Sequence, residues 1–325
     1  MTTRKRGKLC LQSWVALAAG LVLVIGVARA EAAFPGANGR IAFAVEQWRL
    51  PDPCLPVPHG CEPEVFSSSI ETVLPSGRGR QLLHAAPPGQ GVGESGPVWS
   101  PSGRLLTFRQ GAQLSIIRAD GTGLRQLPRL TSGDDEPTWS PDGRRLAFVG
   151  RTLCCRWLYS VRRDGTALHR ILAQEVRWPA WSTTGIAFVN YNDRSGTAVG
   201  LKDGTYTISP DGSRLRRVFG RYWGTGQQPD WSPDGRRIAF VARRHIFTMT
   251  ANGRRLRRLT DNFGDSDPAW SPDGRYIAFI RDQDLYVMRA NGKGVRQVVD
   301  GPDHELHRPG PWAYVSAPTW QPLQR

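Results

Sequence analysis

Carboxylates are the residues of this sequence best placed to bind a ligand. They recur in segments expected to link one repeating unit to the next: Glu94, Asp134, Asp135, Glu136, Glu175, Asp230, Asp265, Asp267, Asp303 and Glu305. Carboxylates gathered at one end of a channel reinforce one another's field and attract cationic groups. The alternative is that each one caps a turn beside the following proline. We therefore predict an acidic binding face at the mouth of a channel, carried by Glu94, Asp134, Asp135, Glu136, Asp230, Asp265 and Asp267.

Three aromatic residues fall in the same irregular segments. Trp223, Trp312 and Tyr314 are candidate anchors for a partner, because aromatic side chains combine a large apolar area with a polar tip. The alternative is that they are buried beneath the loops that carry them.

One histidine pair has the spacing of a metal site. His304 and His307 lie three residues apart, but the sequence Arg308-Pro309-Gly310-Pro311 follows and disfavours the helical turn that such a pair needs. No Ser/His/Asp set is indicated elsewhere. We therefore expect no metal, no cofactor and no catalytic residue.

The cysteines indicate a disulfide. Cys54 and Cys61 bracket a short proline-rich segment, and pairing them is the simplest connectivity in an exported chain. Cys154 and Cys155 would then form a strained vicinal disulfide or remain a free pair, and cross-pairing between the two segments is the alternative. No Cys-x-x-Cys spacing supports a zinc site.

The first 30 residues have the order of a secretory signal peptide. A basic start is followed by an apolar run from Trp14 to Ala28 and by the small-x-small sequence Ala28-Arg29-Ala30. The run is shorter than the roughly 20 residues that a membrane-spanning helix needs. We therefore predict cleavage near Ala30 and a periplasmic or secreted protein, with a retained membrane anchor as the alternative.

The chain carries a net charge of +15, nearly all of it from arginine. The arginines recur at the same positions of a repeat rather than in one tract, as expected for solvated strand residues that keep sheet edges soluble. An exported protein rarely meets nucleic acid, so we expect no nucleic-acid partner. An anionic surface of the cell envelope is an alternative partner.

A repeat positions all of these residues. The sequence Pro-x-Trp-Ser-Pro-Asp-Gly, with variations, occurs six times, and its tryptophans are Trp99, Trp139, Trp181, Trp231, Trp270 and Trp320. A period near 40 residues with tryptophan is typical of a four-stranded propeller blade. Asp-Gly or Asn-Gly pairs, suited to two-residue hairpins, recur at nearly the same count. The sequence therefore predicts an all-β, six-bladed β-propeller over residues 34–325.

The ends of the chain predict how the ring closes. Trp320 has no strands after it, and the strand around Ile41 has no convincing tryptophan strand before it. Joining them would build one blade from both termini and remove the open edges of the ring. The alternative is that Phe34 replaces the missing tryptophan.

The unit Trp-Ser-Pro-Asp-Gly-Arg-x-Ile/Leu-Ala-Phe resembles the repeat of TolB-type propellers, and the same unit forms the propeller of dipeptidyl-peptidase-like enzymes. The resemblance covers about residues 34–325. TolB proper carries a separate α/β domain ahead of its propeller, whereas here the repeat follows the leader directly. The hydrolase motif Gly-x-Ser-x-Gly of the peptidases is absent from the sequence.

The resemblance implies binding rather than catalysis, since TolB-like propellers bind a partner. We therefore expect a monomeric, non-enzymatic scaffolding module of the cell envelope that binds a protein or peptide, with a cationic partner favoured by the acidic face. The alternative is a metal-dependent propeller enzyme acting on a sugar or lactone. Its ion would be held by Glu136, Gln228, Asp230 and Asp267.

Overall fold

The computed structural model describes residues 36–49, 64–86, 93–152, 155–190, 201–220, 227–301 and 312–323. These ranges form β-strands and turns, and they contain no helix long and apolar enough to cross a membrane. The strands in chain order are β1 (Ala37–Arg49), β2 (Glu64–Val73), β3 (Gln81–Ala85), β4 (Glu94–Trp99), β5 (Leu105–Gln110), β6 (Gln113–Arg118), β7 (Arg125–Gln126), β8 (Gly133–Trp139), β9 (Arg145–Arg151), β10 (Arg156–Arg162), β11 (His169–Leu172), β12 (Arg177–Ser182), β13 (Gly185–Asn190), β14 (Gly204–Ile208), β15 (Arg216–Phe219), β16 (Gln227–Trp231), β17 (Arg237–Ala242), β18 (His245–Thr250), β19 (Arg257–Arg258), β20 (Ser266–Trp270), β21 (Tyr276–Arg281), β22 (Asp284–Arg289), β23 (Arg296–Val299) and β24 (Trp312–Leu323).

The strands form six four-stranded antiparallel sheets, which are the blades of a β-propeller. Blade 1 has the order β24-β1-β2-β3, and each later blade uses four consecutive strands, from β4–β7 in blade 2 to β20–β23 in blade 6. The first strand of each later blade, together with β24 in blade 1, contacts its counterpart in the next blade. These six inner strands surround the centre of the ring. The predicted six-bladed fold is confirmed.

Side chains of the Ser-Pro-Asp-Gly turns hold the first two strands of a blade together. In blade 3 the Asp142 Oδ1 atom accepts hydrogen bonds from the Ser140 hydroxyl (2.6 Å) and the Arg144 amide (3.0 Å). Gly143 has φ 66°, which glycine adopts without the steric cost that a Cβ atom imposes. The sequence therefore specifies the turn through its own polar groups.

The hydrophobic core lies between adjacent blades. The tryptophan of one blade packs with apolar residues of its neighbour, as when Trp139 and Phe148 of blade 3 cluster with Leu114 and Ile116 of blade 2. A phenylalanine in each second strand is fully buried: Phe43, Phe108, Phe148, Phe188, Phe240 and Phe279. Burying such a side chain contributes about 1.5–3 kcal/mol, so the repeated Ala-Phe or Thr-Phe strand stabilises every blade contact.

The ring closes through both ends of the described chain. β24 pairs with β1 in antiparallel register, with Ile41 opposite Trp320. Trp320 is 4 % exposed and donates its indole N–H to the Ala269 carbonyl of blade 6 (3.1 Å). The predicted closure by Trp320 is therefore confirmed.

One placement made from the sequence is wrong. The sequence predicts an irregular loop around Trp312 and Tyr314, but their backbone belongs to β24, where Trp312 lies opposite Trp48 and Tyr314 opposite Glu46. The reason is that β1 and β24 are 13 and 12 residues long and continue their pairing well beyond the closing tryptophan. The signal peptide, Cys54, Cys61, Cys154, Trp223, His304 and His307 lie outside the described residues.

Candidate binding channel

Each inner strand has a bulge immediately before its Pro-x-Trp sequence. The residue three positions before the tryptophan has a positive φ of 48–60° in all six blades, and the pairing register shifts at the same point. These bulge residues are Gly96, Glu136, Trp178, Gln228, Asp267 and Ala317. For a residue with a Cβ atom this conformation costs roughly 1–2 kcal/mol. Five of the six blades therefore carry the same local strain.

The bulge turns a ring of side chains toward the axis of the propeller. All six bulge residues line one cavity of about 210 Å³, together with the six prolines that follow them and four of the tryptophans: Trp181, Trp231, Trp270 and Trp320. One water molecule needs only about 10–15 Å³ of such space, so the cavity has room for a side chain or another small group. Bulges commonly redirect side chains beside functional sites.

The bulge position differs chemically from blade to blade, as does the residue between proline and tryptophan. The next residue is always proline, and the tryptophan two positions further on is always present. The bulge residue, by contrast, is acidic in two blades, an amide in one, tryptophan in one and small in two. The repeat therefore presents carboxyl, amide, indole and small side chains at one level of the channel.

Glu136 bridges blades 3 and 4. Its Oε2 atom accepts a hydrogen bond from the Trp178 amide (2.5 Å). The pKa of Glu136 is raised to about 7, chiefly by burial and also by the neighbouring Asp135 carboxylate, while the Trp178 amide, Arg156 and Arg177 oppose the shift. This carboxyl group therefore titrates at a much higher pH than an ordinary glutamate, and a cation placed beside it would favour its ionised form.

Gln228 and Asp267 bridge blades 5 and 6 in the same way. The Gln228 Nε2 atom donates to Asp267 Oδ1 (2.7 Å), and the Asp267 amide donates to Gln228 Oε1 (3.1 Å). Asp267 Oδ2 accepts from the Ser266 hydroxyl (2.8 Å). Burial raises the pKa of Asp267 despite these bonds. Glu136 and Asp267 stand three blades apart, on opposite sides of the ring.

A second ring of residues lines the same cavity beside the bulge ring. It is formed by the residue between proline and tryptophan in each blade. Asp230 Oδ2 accepts from the Trp270 amide of the next blade (2.7 Å), and Thr138 Oγ1 accepts from the Trp181 amide (3.1 Å). Burial raises the pKa of Asp230 to about 7. Asp230 lines the same cavity, so three carboxyl groups with raised pKa values share the channel.

The sequence located the acidic face only in part. Glu136, Asp230 and Asp267 line the channel, but they lie in inner strands rather than in the predicted loops, because the strands extend on both sides of the bulge. Asp135 is outside the channel cavity, with its carboxylate 4.0 Å from Arg109 and 3.9 Å from Arg151.

Three other predicted residues are structural. Glu94, Asp134 and Asp265 are at most 1 % exposed. Asp265 forms a two-pronged ion pair with Arg281 (2.7 and 3.0 Å), and Asp134 accepts from the Leu130 amide (3.0 Å) and the Thr131 hydroxyl (2.6 Å). Glu94 Oε1 contacts His84 Nε2 at 2.9 Å. Their position, five residues before the tryptophan, faces into the blades and away from the channel.

Trp178 is a channel residue that the pattern of carboxylates does not indicate. Aligning the six Pro-x-Trp copies places Trp178 at the same position as Glu136, Gln228 and Asp267, directly before the proline. Within the described residues, no group of three or more His, Cys, Asp or Glu side chains has the arrangement of a metal site.

The fold and the channel define a closed six-bladed β-propeller with a polar, carboxyl-lined centre. The chain is similar to TolB from Acinetobacter baumannii (TM-score 0.63, 17 % identity, 87 % of this chain and 67 % of that chain). It is also similar to a protein assigned as TolB from Agrobacterium tumefaciens (TM-score 0.61, 19 % identity, 85 % of this chain and 98 % of that chain).

Likeness at this level of identity extends beyond TolB. A chain of a nidogen/laminin complex matches with TM-score 0.62 at 9 % identity, over 87 % of this chain and 100 % of that chain. The profile of the dipeptidyl peptidase IV N-terminal region matches residues 262–314. No curated protein matches the sequence. These comparisons establish the propeller fold, so any proposal about function must be argued from the residues of the channel.

Proposed function

We propose that this chain is an exported, non-enzymatic binding module of the cell envelope that receives a protein or peptide partner at its central channel. The observation that carries the proposal is the ring of bulge residues. Five of them hold a strained conformation that directs chemically different side chains into one cavity. Strain that recurs at one position of a regular scaffold is typical of functional sites.

The channel chemistry favours a cationic group of the partner. Glu136 and Asp267 flank the cavity from opposite blades, and Trp178 and Gln228 stand between them. A carboxylate and an aromatic ring both attract a guanidinium or ammonium group. Because burial raises the pKa of both carboxyl groups, an arriving cation would stabilise their ionised forms and release protons.

The cellular setting of the proposal comes from the leader and the fold. A secretory leader would deliver the chain to the periplasm or outside the cell. The similarity to TolB structures supports an envelope role for the propeller. Fold alone does not determine function, so the channel rather than the likeness must be tested.

Site-specific photocross-linking tests the proposal even while the partner is unidentified. A photoreactive amino acid at Ala317, a small residue that lines the channel, should capture a protein in cells of the source organism. The matched control is the same group at Thr166, an exposed residue in the blade 3 hairpin at the opposite end of the strands. We expect a protein adduct at Ala317 and none at Thr166.

The cross-link must also depend on channel chemistry. Adding Glu136→Gln and Asp267→Asn, which keep the hydrogen-bond acceptors but remove the charges, should abolish the adduct. An adduct that persists in the double variant, or that forms only at Thr166, would refute the channel as the binding site.

A metal titration separates the binding module from the metal-dependent enzyme. An ion that binds the folded protein raises its melting temperature by mass action. At an ion concentration of one hundred times the Kd, the free energy of unfolding increases by about 2.7 kcal/mol. A binding module without a resident metal should melt at the same temperature with and without Ca²⁺, Mg²⁺ or Zn²⁺. A large, saturable increase would favour the enzyme.

A further inference from the structure

The end of the propeller that carries the Asp/Asn-Gly hairpins is strongly basic. Its turns expose thirteen cationic side chains: Arg78, Arg104, Arg118, Arg144, Arg162, Arg163, Arg214, Arg236, Arg254, Arg255, Arg275, Arg289 and Lys293. The same turns hold six carboxylates: Asp120, Asp142, Asp164, Asp211, Asp234 and Asp273. Cations come from the turns of all six blades, so we call this surface the basic end.

These cations are not neutralised by pairing. Among the described residues, none of the thirteen has a carboxylate within 4.0 Å of its charged nitrogens. The six aspartates serve the turns, as when Asp164 accepts bonds from the Thr166 amide (2.9 Å) and hydroxyl (2.6 Å). A different set of arginines, such as Arg257 bonded to the Asn291 carbonyl (3.0 Å), links neighbouring blades.

The basic end also exposes one aliphatic side chain per blade. These residues are Leu74, Leu124, Leu168, Leu215, Leu256 and Val295, and each is 37–44 % exposed. They account for six of the nine large exposed hydrophobic residues in the described chain. Each lies in or directly after its blade's hairpin turn, beside the arginines. The basic end therefore carries aliphatic side chains around the whole ring, between its cationic groups.

We propose that the basic end docks flat on the surface of an anionic phospholipid bilayer. Guanidinium groups match lipid phosphates in charge and geometry, and the aliphatic residues between them can enter the acyl boundary. A linear polyanion would favour a basic groove with stacking aromatic residues. The basic end instead spreads its charge around a ring, and its apolar residues are aliphatic. Docked this way, the opposite end of the propeller, with the bulge ring, faces away from the membrane.

Vesicle co-sedimentation tests the proposal on the full mature chain. The parent should bind vesicles of phosphatidylglycerol and phosphatidylcholine, lose binding at high salt, and ignore vesicles of phosphatidylcholine alone. Each basic residue near an anionic surface contributes about five-fold in binding. Arg163→Gln, Arg236→Gln, Arg254→Gln and Arg275→Gln together should therefore weaken binding by about 100-fold or more.

A matched variant keeps the charge change and moves it to the other end. Arg129, Lys202 and Arg244 lie in exposed loops at the opposite end of the strands, and Arg151 is the exposed last residue of β9 at that end. Changing all four to Gln should leave vesicle binding within about three-fold of the parent. Equal losses in the two variants would overturn the proposal, because the effect would then follow net charge alone. Thermal melting of both variants verifies that they are folded.

The aliphatic residues distinguish a membrane from a soluble polyanion. Changing Leu124, Leu168, Leu215 and Leu256 to Ser should weaken vesicle binding at least ten-fold while leaving any binding to a DNA duplex unchanged. Vesicle binding that is unaffected by the serine variant, or a parent that prefers the duplex to anionic vesicles at the same salt concentration, would overturn the membrane proposal.

Discussion

At the residue scale, the tryptophans of the repeat have two roles. Each fills the space between blades, and some also bond across the blade boundary: Trp139, Trp231 and Trp320 donate their indole N–H groups to carbonyls of the preceding blade at 3.1–3.2 Å. The indole N–H groups of Trp99 and Trp270 are buried without a hydrogen-bond partner. The same residue type therefore stabilises different blade contacts to different extents.

This difference predicts that replacing tryptophan by phenylalanine destabilises the protein by different amounts at different positions of the repeat. Trp231→Phe removes a hydrogen bond and leaves the buried Ala180 carbonyl without it, whereas Trp270→Phe removes no such bond. We expect Trp231→Phe to lower the free energy of unfolding by about 1 kcal/mol more than Trp270→Phe. Urea denaturation of the two variants measures this. Equal losses would show that the indole bond contributes nothing.

The channel carboxyl groups predict a pH dependence of stability. The pKa values of Glu136 and Asp230 are about 7 in the folded protein, well above their ordinary values. Between about pH 4 and pH 7 the folded state therefore holds protons that the unfolded chain has released, and the free energy of unfolding falls as the pH rises. Asp230→Asn should remove part of this slope and stabilise the protein at pH 8 by on the order of 2 kcal/mol.

The measurement is thermal or chemical unfolding of parent and Asp230→Asn at pH 4 and pH 8. The Asn side chain can still accept the Trp270 amide bond, so the fold should be retained. If the stability difference between variant and parent were the same at pH 4 and at pH 8, the raised pKa of Asp230 would be contradicted.

At the element scale, β24 is the strand on which the ring depends. It pairs with β1, and it contacts the inner strands β20 and β4 of the two flanking blades.

Trp320→Ala should lower the free energy of unfolding by on the order of 3–5 kcal/mol, since it empties a buried site at the closure. Removing residues 317–325 should cost more, because blade 1 also loses half of its inner strand. Calorimetry of both proteins tests this, and melting of the truncated chain at the parent temperature would disprove the closure.

The elements also show what the sequence could predict. The Pro-x-Trp and Ser-Pro-Asp-Gly repeats encode strand ends and turns locally, so blade number, hairpins and closure followed from them. The bulge did not, because a positive φ at Glu136 or Trp178 opposes local preference and is imposed by packing around the channel. Hence Asp134 and Asp265, close in sequence to channel residues, proved to be buried structural groups.

At the scale of the whole molecule, the two ends of the propeller differ in chemistry. The hairpin end is basic and exposes aliphatic residues, while the inner strands bring three carboxyl groups with raised pKa values into the channel. Without the predicted leader, which holds five basic residues and no acidic one, the chain still carries a net charge of about +10, and this charge would otherwise repel cationic partners. Placing the carboxyl groups inside a narrow, poorly screened channel allows local attraction despite the overall charge.

The most direct test of the channel uses the protein captured through Ala317. Its Kd should be measured at pH 6 and pH 8 for three proteins: the parent, a channel variant and a control. The channel variant is Glu136→Gln, Asp267→Asn. The control is Asp261→Asn, Asp282→Asn, which removes the same charge from exposed residues outside the cavity. The parent and the exposed-residue control should bind up to about ten-fold more tightly at pH 8, where Glu136 is ionised. The channel variant should bind at least ten-fold more weakly than the parent at pH 8 and show a smaller pH dependence, since Asp230 alone of the three channel carboxyl groups remains to ionise. A channel variant that matches the parent at both pH values would contradict binding in the channel.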